Sequence, residues 1–414
     1  MIHGHSLLCN GDCRSGAGLS RGETRPTRRI AFLIVKEKHF FKWFRRKILQ
    51  PAPQSPRCAP ARPRAGRIFR HPEPFRRPGR IWPVYVTFRG CPGRCVFCAQ
   101  PLQSGQGPQP LDVTLVAMTA GLEEAARAGR GPYELAFYGG VFTALPEPWP
   151  GRFLEEASRL RRAGIVSRVR CSTRPDACDP GLLARLRDAG LDCVELGAQT
   201  FDDAVLARAG RGHDAAATRR AARDVRAVGL ELGIQLLPGL PGHTPEGLAR
   251  DAAEAADLAP SLVRLHPCLV VAGTPLAALY AAGGYAPWDL ETTLDALARV
   301  LPVLWRAGAR VARIGLAPEP GLEAAILAGP RHPALGARAR ARALFALVAA
   351  HVAALGGPPA GLSCPRRFAG ELFGHARELA PAYAALGLPG QRIRFEARED
   401  FFLAAAPFDS GAQS

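Results

Sequence analysis

Three cysteines, Cys91, Cys95 and Cys98, stand in the spacing C-x3-C-x2-C within the run Gly90-Cys-Pro-Gly-Arg-Cys-Val-Phe-Cys-Ala-Gln100. Cysteines this close cannot all project from one side of a helix or strand, but a loop can wrap them around a common point. Thiolates so arranged bind soft metal centres, chiefly zinc or an iron–sulfur cluster. A structural zinc takes four protein ligands, and an all-protein cubane takes four cysteines. Three thiolates without a local fourth ligand imply a cluster with one iron left open for chemistry. A zinc-binding loop is the alternative.

Further residues with chemical capacity lie along or at the ends of strand-like runs. The run from Glu134 ends in Gly139-Gly140, a pair that lets backbone approach a ligand closely, or simply makes a turn. Strand side chains alternate between faces. In Cys193–Gln199, Val194, Leu196 and Ala198 oppose Glu195, Gly197 and Gln199. In Glu231–Leu237, Leu232, Ile234 and Leu236 oppose Glu231, Gly233 and Gln235. In the next run Val263 and Leu265 oppose Arg264 and His266. The apolar parity belongs under outer helices. The polar parity then lines the inside of the sheet, which predicts a polar cavity with room for ligands rather than the Val/Ile/Leu filling of an ordinary barrel. The alternative is a set of buried ion pairs.

The elements that must position these residues alternate regularly. Strand-like runs at Val84–Phe88, Glu134–Tyr138, Val169–Arg174, Cys193–Gln199, Glu231–Leu237, Leu262–Val270 and Val311–Leu316 are separated by helix-like runs. The helical runs are Leu111–Ala128, Arg152–Ala163, Gly181–Ala189, Ala215–Val228, Pro245–Leu258 and Leu290–Ala307. Such βαβ alternation predicts an α/β protein with a parallel sheet and right-handed crossovers, a barrel or most of one. The expected division is a basic, disordered leader (1–80), a barrel domain (81–318) and a helical C-terminal extension (319–414) with its longest helix at Ala337–Ala354.

The cysteine spacing, with an aromatic residue before Cys98, resembles that of the radical S-adenosylmethionine (radical SAM) enzymes. The resemblance implies a partial (β/α)6 TIM-type barrel. It also implies a [4Fe–4S] cluster on Cys91, Cys95 and Cys98, whose open iron is chelated by the amine and carboxylate of S-adenosyl-L-methionine (SAM). In that family one electron cleaves SAM to methionine and a 5′-deoxyadenosyl radical that abstracts hydrogen from substrate. Gly139 and Gly140 resemble the family's glycine motif, which meets the SAM amino group. Ser172 and Arg174 suit the ribose and carboxylate of SAM, or else an N-cap and a salt bridge. Gln235 lies in the run resembling the adenine-side motif. Glu195, Gln199, Arg264 and His266 are left for the substrate end, as candidate catalytic residues. The ordered series of motifs, together with Arg211-Gly-His213, resembles the radical SAM domain of the Elongator catalytic subunit and its shorter bacterial relatives. That likeness covers about residues 82–335. The chain departs from the subunit in stopping before an acetyltransferase domain, and in carrying Arg264 and His266 where the subunit has Lys and Tyr. An enzyme resembling anaerobic coproporphyrinogen oxidase is an alternative; a zinc-stapled RNA-binding module is the non-enzymatic one.

Of the 414 residues, the first 80 hold 19 Lys+Arg against 4 Asp+Glu, so most of the net charge of +18 belongs to the leader rather than the catalytic region. Every lysine lies between Lys36 and Lys47. The apolar run Ile30–Val35 is too short to span a membrane and lacks a small-residue cleavage site. Cys9 and Cys13 form an isolated pair, and the eleven cysteines show no disulfide framework. A cluster-type triple suits a reducing cytoplasm. The expected partners are an electron donor such as a flavodoxin or ferredoxin, and RNA or a small molecule as substrate.

Overall fold

The computed structural model describes residues 66–74 and 79–405, within one compact unit that spans residues 63–414. The bulk of the basic leader, with Cys9, Cys13 and the Ile30–Val35 run, lies outside the described residues. The first strand, β1 (Gly66–Phe69), joins a terminal sheet. The central sheet begins with β2 (Arg80–Tyr85) and continues through β3 (Tyr133–Tyr138), β4 (Val166–Thr173), β5 (Cys193–Gln199), β6 (Glu231–Leu236) and β7 (Leu262–Leu265). A short strand, β8 (Val270–Val271), precedes its last member, β9 (Arg310–Ile314). Then follow β10 (Ile326–Ala328), β11 (Pro359–Pro365), β12 (Ile393–Glu396) and β13 (Phe401–Ala405).

The seven central strands run parallel in the order β2-β3-β4-β5-β6-β7-β9, a partial TIM-type barrel. Several helices start where a capping residue stops the preceding loop. Asp179, Asp202, Asp214, Thr244, Thr274 and Asp289 all accept hydrogen bonds from first-turn amides, which satisfies donors that a helix leaves open. The outward parity of the strands is apolar. Val194, Leu196, Ala198, Leu232, Ile234, Leu236, Val263 and Leu265 are buried in one core with helix residues such as Leu183, Val225, Leu248 and Leu297. Polar side chains are thereby left on the concave side.

The structure differs from the expected organisation chiefly in four places. The first central strand begins at Arg80, four residues before the expected start. The expected strand Leu262–Val270 is broken: β7 ends at Leu265, and β8 pairs instead with β10 in a two-stranded sheet. The extension 319–414 is not simply helical. The Leu335–Ala353 helix is present, but β11, β12 and β13 form a sheet that β1 completes in the order β1-β13-β11-β12. Strands of four to seven residues in an Ala- and Arg-rich stretch show too little alternation to be read, and their stability comes from distant pairing partners. For the same reason residues 66–74 do not belong to a disordered leader. β1 pairs antiparallel with β13, and Glu73 takes both terminal nitrogens of Arg340 at 2.5 and 2.9 Å.

Candidate active site

The loop after β2 carries the three cysteines and packs tightly on the turn after β3. Gly140 has a φ of 63°, and a Cβ there would lie 2.3 Å from the Arg89 carbonyl oxygen and 2.4 Å from that of Val86. Only glycine allows that approach. Val141 N–H donates to Arg89 O at 2.8 Å, and Gly140 N–H donates to Oε1 of Gln100 at 3.0 Å. The same Oε1 accepts from Phe88 N at 2.6 Å. Gln100 thus pins the glycine turn to the cysteine loop.

All three cysteines line one cavity of about 500 Å³, a volume suited to a small ligand. Among the described residues no three His, Cys, Asp or Glu side chains gather around one ion-sized point. Cys95 is nearly buried, and Arg211 donates from Nη1 to its Sγ at 3.1 Å and from Nη2 to Gly197 O at 2.7 Å. Burial pushes the Cys98 thiol up to about 11 and raises Cys91, with Cys95 adding to both. Cys91 and Cys98 are thus disfavoured as free thiolates, and a bound cationic centre is what would hold them in that form.

Gly139, Gly140, Ser172, Arg174, Gln199, Gln235, Arg264 and His266 line the same cavity. Ser172 Oγ is buried with no hydrogen-bond partner among the described residues, a hydroxyl left for a ligand. Arg174 commits Nε and Nη2 to Asp176 at 2.9 and 2.7 Å. Gln199 holds a φ of 71° at an irregularity in the β5–β6 pairing, and its amide comes within 3.4 Å of Gln235. Strain of this kind at a buried polar residue is typical of a site. His266 is buried, with Nδ1 3.1 Å from Gly315 O. A carbonyl only accepts, so Nδ1 carries the proton and Nε2 is left as an acceptor. Burial, with Arg264 and Arg313 beside it, holds this imidazole neutral well below its ordinary range.

Glu195 is the exception. It does not line the cavity but lies beneath it, 2% exposed, accepting from Arg170 at 2.5 Å and lying 3.4 Å from Arg264. Arg170 also contacts Glu134 at 3.3 Å, and Arg168 pairs with Glu134 and Glu231. The inward charges of β3 to β7 form an ion-pair floor, so the buried-ion-pair reading holds for Glu195 and the cavity reading for the residues above it. Gln100, Tyr85, Tyr138 and Arg313 also line the cavity and were not singled out by sequence. Gln100 ends the cysteine run and so carried a weak signal, whereas Arg313 shares the parity of the buried Val311 and pairs with Arg264 only because the β7–β9 register shifts beside it.

A family description of the radical SAM superfamily matches residues 85–255, and one of the radical SAM C-terminal domain matches residues 260–344. The tRNA uridine(34) acetyltransferase of Methanocaldococcus jannaschii is 26% identical over 56% of this chain and 50% of its own length. Protein YhcC of Escherichia coli is 34% identical over 48% of this chain and 64% of its own. The chain spans about half the length of the acetyltransferases it matches. The solved structure of Methanocaldococcus infernus Elp3 with an N-terminal deletion superposes with a TM-score of 0.49 at 22% identity, covering 63% of this chain and 62% of that one.

Proposed function

The chain belongs to the radical SAM superfamily, and from that premise we propose that it is an enzyme that reductively cleaves SAM to start hydrogen abstraction from a nucleotide or RNA substrate. The observation that carries the reading is one cavity lined by Cys91, Cys95 and Cys98 at one part and by Gln199, Gln235, Arg264 and His266 at another. Members of the superfamily bind a [4Fe–4S] cluster and SAM, which together supply an electron and the hydrogen-abstracting chemistry. Cys91, Cys95 and Cys98 would hold the cluster. Arg211 would place a positive charge against the Cys95 sulfur, and Gln100 would fix the loop's distance from Gly140. Gly139, Gly140, Ser172, Arg174 and Gln235 would face SAM, with the Ser172 hydroxyl the group most free to bond. Gln199, Arg264 and His266 would meet the substrate, His266 as an acceptor at Nε2. Glu195 would act through the floor that holds Arg264. The nucleotide class is favoured by the tRNA-directed names of the relatives and by the arginines in the cavity. A flavodoxin or ferredoxin in a reducing cytoplasm would supply electrons. Among the described residues no helix is long and apolar enough to cross a membrane.

The test is anaerobic reconstitution with iron and sulfide. The wild-type protein should take up both and, once reduced, release methionine from SAM. Cys95→Ala should lose the iron and the cleavage together. Cys171→Ala should keep both, because Cys171 is buried in the core away from the cavity. Equal iron in wild type and Cys95→Ala, or zinc in place of iron, would overturn the proposal.

A further inference from the structure

Two arginines face the cavity from adjacent strands, and they are held very differently. Arg264 on β7 and Arg313 on β9 are register partners and line the same space. Arg264 lies over the Tyr138 ring, 4.5 Å from its centroid, and reaches Glu195 at 3.4 Å. Arg313 donates from Nε to Gly315 O at 3.0 Å, and among the described residues its terminal nitrogens meet no carboxylate. Glu319, the carboxylate on the same rim, lies instead against Gly105 and acts on Tyr85. Burial, followed by the Arg264 charge, lowers the affinity of the Arg313 guanidinium for its proton. That is the mark of a cation that has lost water and gained a like-charged neighbour. A half-buried guanidinium beside a second one, with two nitrogens open toward a cavity, is complete only with an anion. A planar fork of donors suits phosphate or carboxylate oxygens. Tyr85 and Tyr138, with ring centroids 6.1 Å apart, offer aromatic walls next to it.

We propose that Arg313 is the binding residue for an anionic group of the substrate, a phosphate or a carboxylate, with Arg264 adding charge and the two tyrosines flanking the group that carries the anion. The inference rests on reading the cavity as the substrate site. It differs from that reading in placing the anchor at Arg313, whose terminal nitrogens meet no carboxylate among the described residues, rather than at Arg264, whose charge Glu195 already meets.

The test titrates the full-length chain with uridine 5′-monophosphate, uridine and succinate, in the metal-free and the reconstituted protein. At least one of the two anions should bind wild type more tightly than uridine does. Arg313→Gln should weaken that anion about tenfold or more, leaving uridine and SAM unchanged, and Arg313→Lys should recover part of the loss. Binding of the monophosphate alone assigns a phosphate; binding of succinate as well assigns a carboxylate-tolerant site. The Arg313→Gln protein should melt no lower than wild type, because it loses an uncompensated charge. The proposal is overturned by anions that bind no better than uridine, by undiminished anion affinity in Arg313→Gln, by an equal loss of SAM affinity, or by a lowered melting temperature that Lys restores. If no cluster assembles even in wild type, the proposed function fails, while the metal-free titration still decides the role of Arg313.

Discussion

Glu195 joins two arginines from inside the barrel, and the partners are not equivalent. Arg170 is 1% exposed and sits 2.5 Å from the carboxylate, whereas Arg264 is 3.4 Å away and partly open to the cavity. Glu195→Gln leaves Arg170 buried with the Tyr138 hydroxyl and, as carboxylate, the more distant Glu134, and breaking a buried pair in this way costs about 3–5 kcal/mol. Arg264→Met leaves the Arg170 bond in place and should cost about 1 kcal/mol or less, as for a partly exposed ion pair. Urea unfolding of both variants checks the order; a larger loss in Arg264→Met would contradict it. His213 provides a pH handle. Its ring is largely buried, and burial, then Arg211, depress its pKa to about 4 from the ordinary 6.5, outweighing the Ala198 backbone, which raises it. The unfolded chain therefore binds a proton that the folded chain refuses between those values. Stability should be complete above about pH 6.5 and fall as the pH drops from there toward 4. With allowance for the ring's partial exposure, the loss is roughly 1–2 kcal/mol. His213→Gln should flatten that part of the profile in pH-dependent melting. At this scale the sequence showed which residues alternate, not which ones meet. Arg211 and Cys95 are 116 positions apart, and Gln100 and Gly140 are 40 apart. Glu195 and Arg313 show the same limit: Glu195 has the inward parity but is taken up by Arg170, and Arg313 pairs with Arg264 only through a register shift that its own strand does not reveal.

The central strands and helices were legible because each buries one face against the other, so that its periodicity is written into its own residues. β5 runs over the residues expected, and the helix before β6, Ala215–Ala227, differs from its expected span by one residue at its end. The terminal sheet was not legible. β12 has four residues and β1 another four, too few to show a period, and β11 carries proline at both ends. What makes them strands is one another. A chain beginning at Pro63 should therefore melt like the full chain, whereas one beginning at Arg80 should not. The shorter chain loses the β1–β13 pairing and leaves Arg340, about 8% exposed, without Glu73. An unpaired buried charge costs about 3–5 kcal/mol. At about 2–4 °C per kcal/mol for a large domain, differential scanning calorimetry should show a drop of roughly 6 °C or more. Equal melting of the two chains would place β1 outside the cooperative unit.

At the scale of the molecule the central sheet does not close: β2 and β9 remain its two outer strands. Ile81, Pro83 and Tyr85 line the cavity from one edge, and Arg313 from the other. A substrate larger than the cavity can thus offer one group to the interior between those edges. Every inward residue from β2 to β9, and the cysteine loop with them, is made before the chain reaches β11, β12 and β13 of the terminal sheet. That order has a consequence for biosynthesis. The partners in the terminal sheet are about 330 residues apart, and at about 5–20 residues per second β1 waits roughly 15–70 s for β13 to be translated. The cavity walls can assemble around their ligand while the nascent chain is still attached to the ribosome. Closure of the two ends of the unit onto each other is a later event, completed only once β13 has left the exit tunnel.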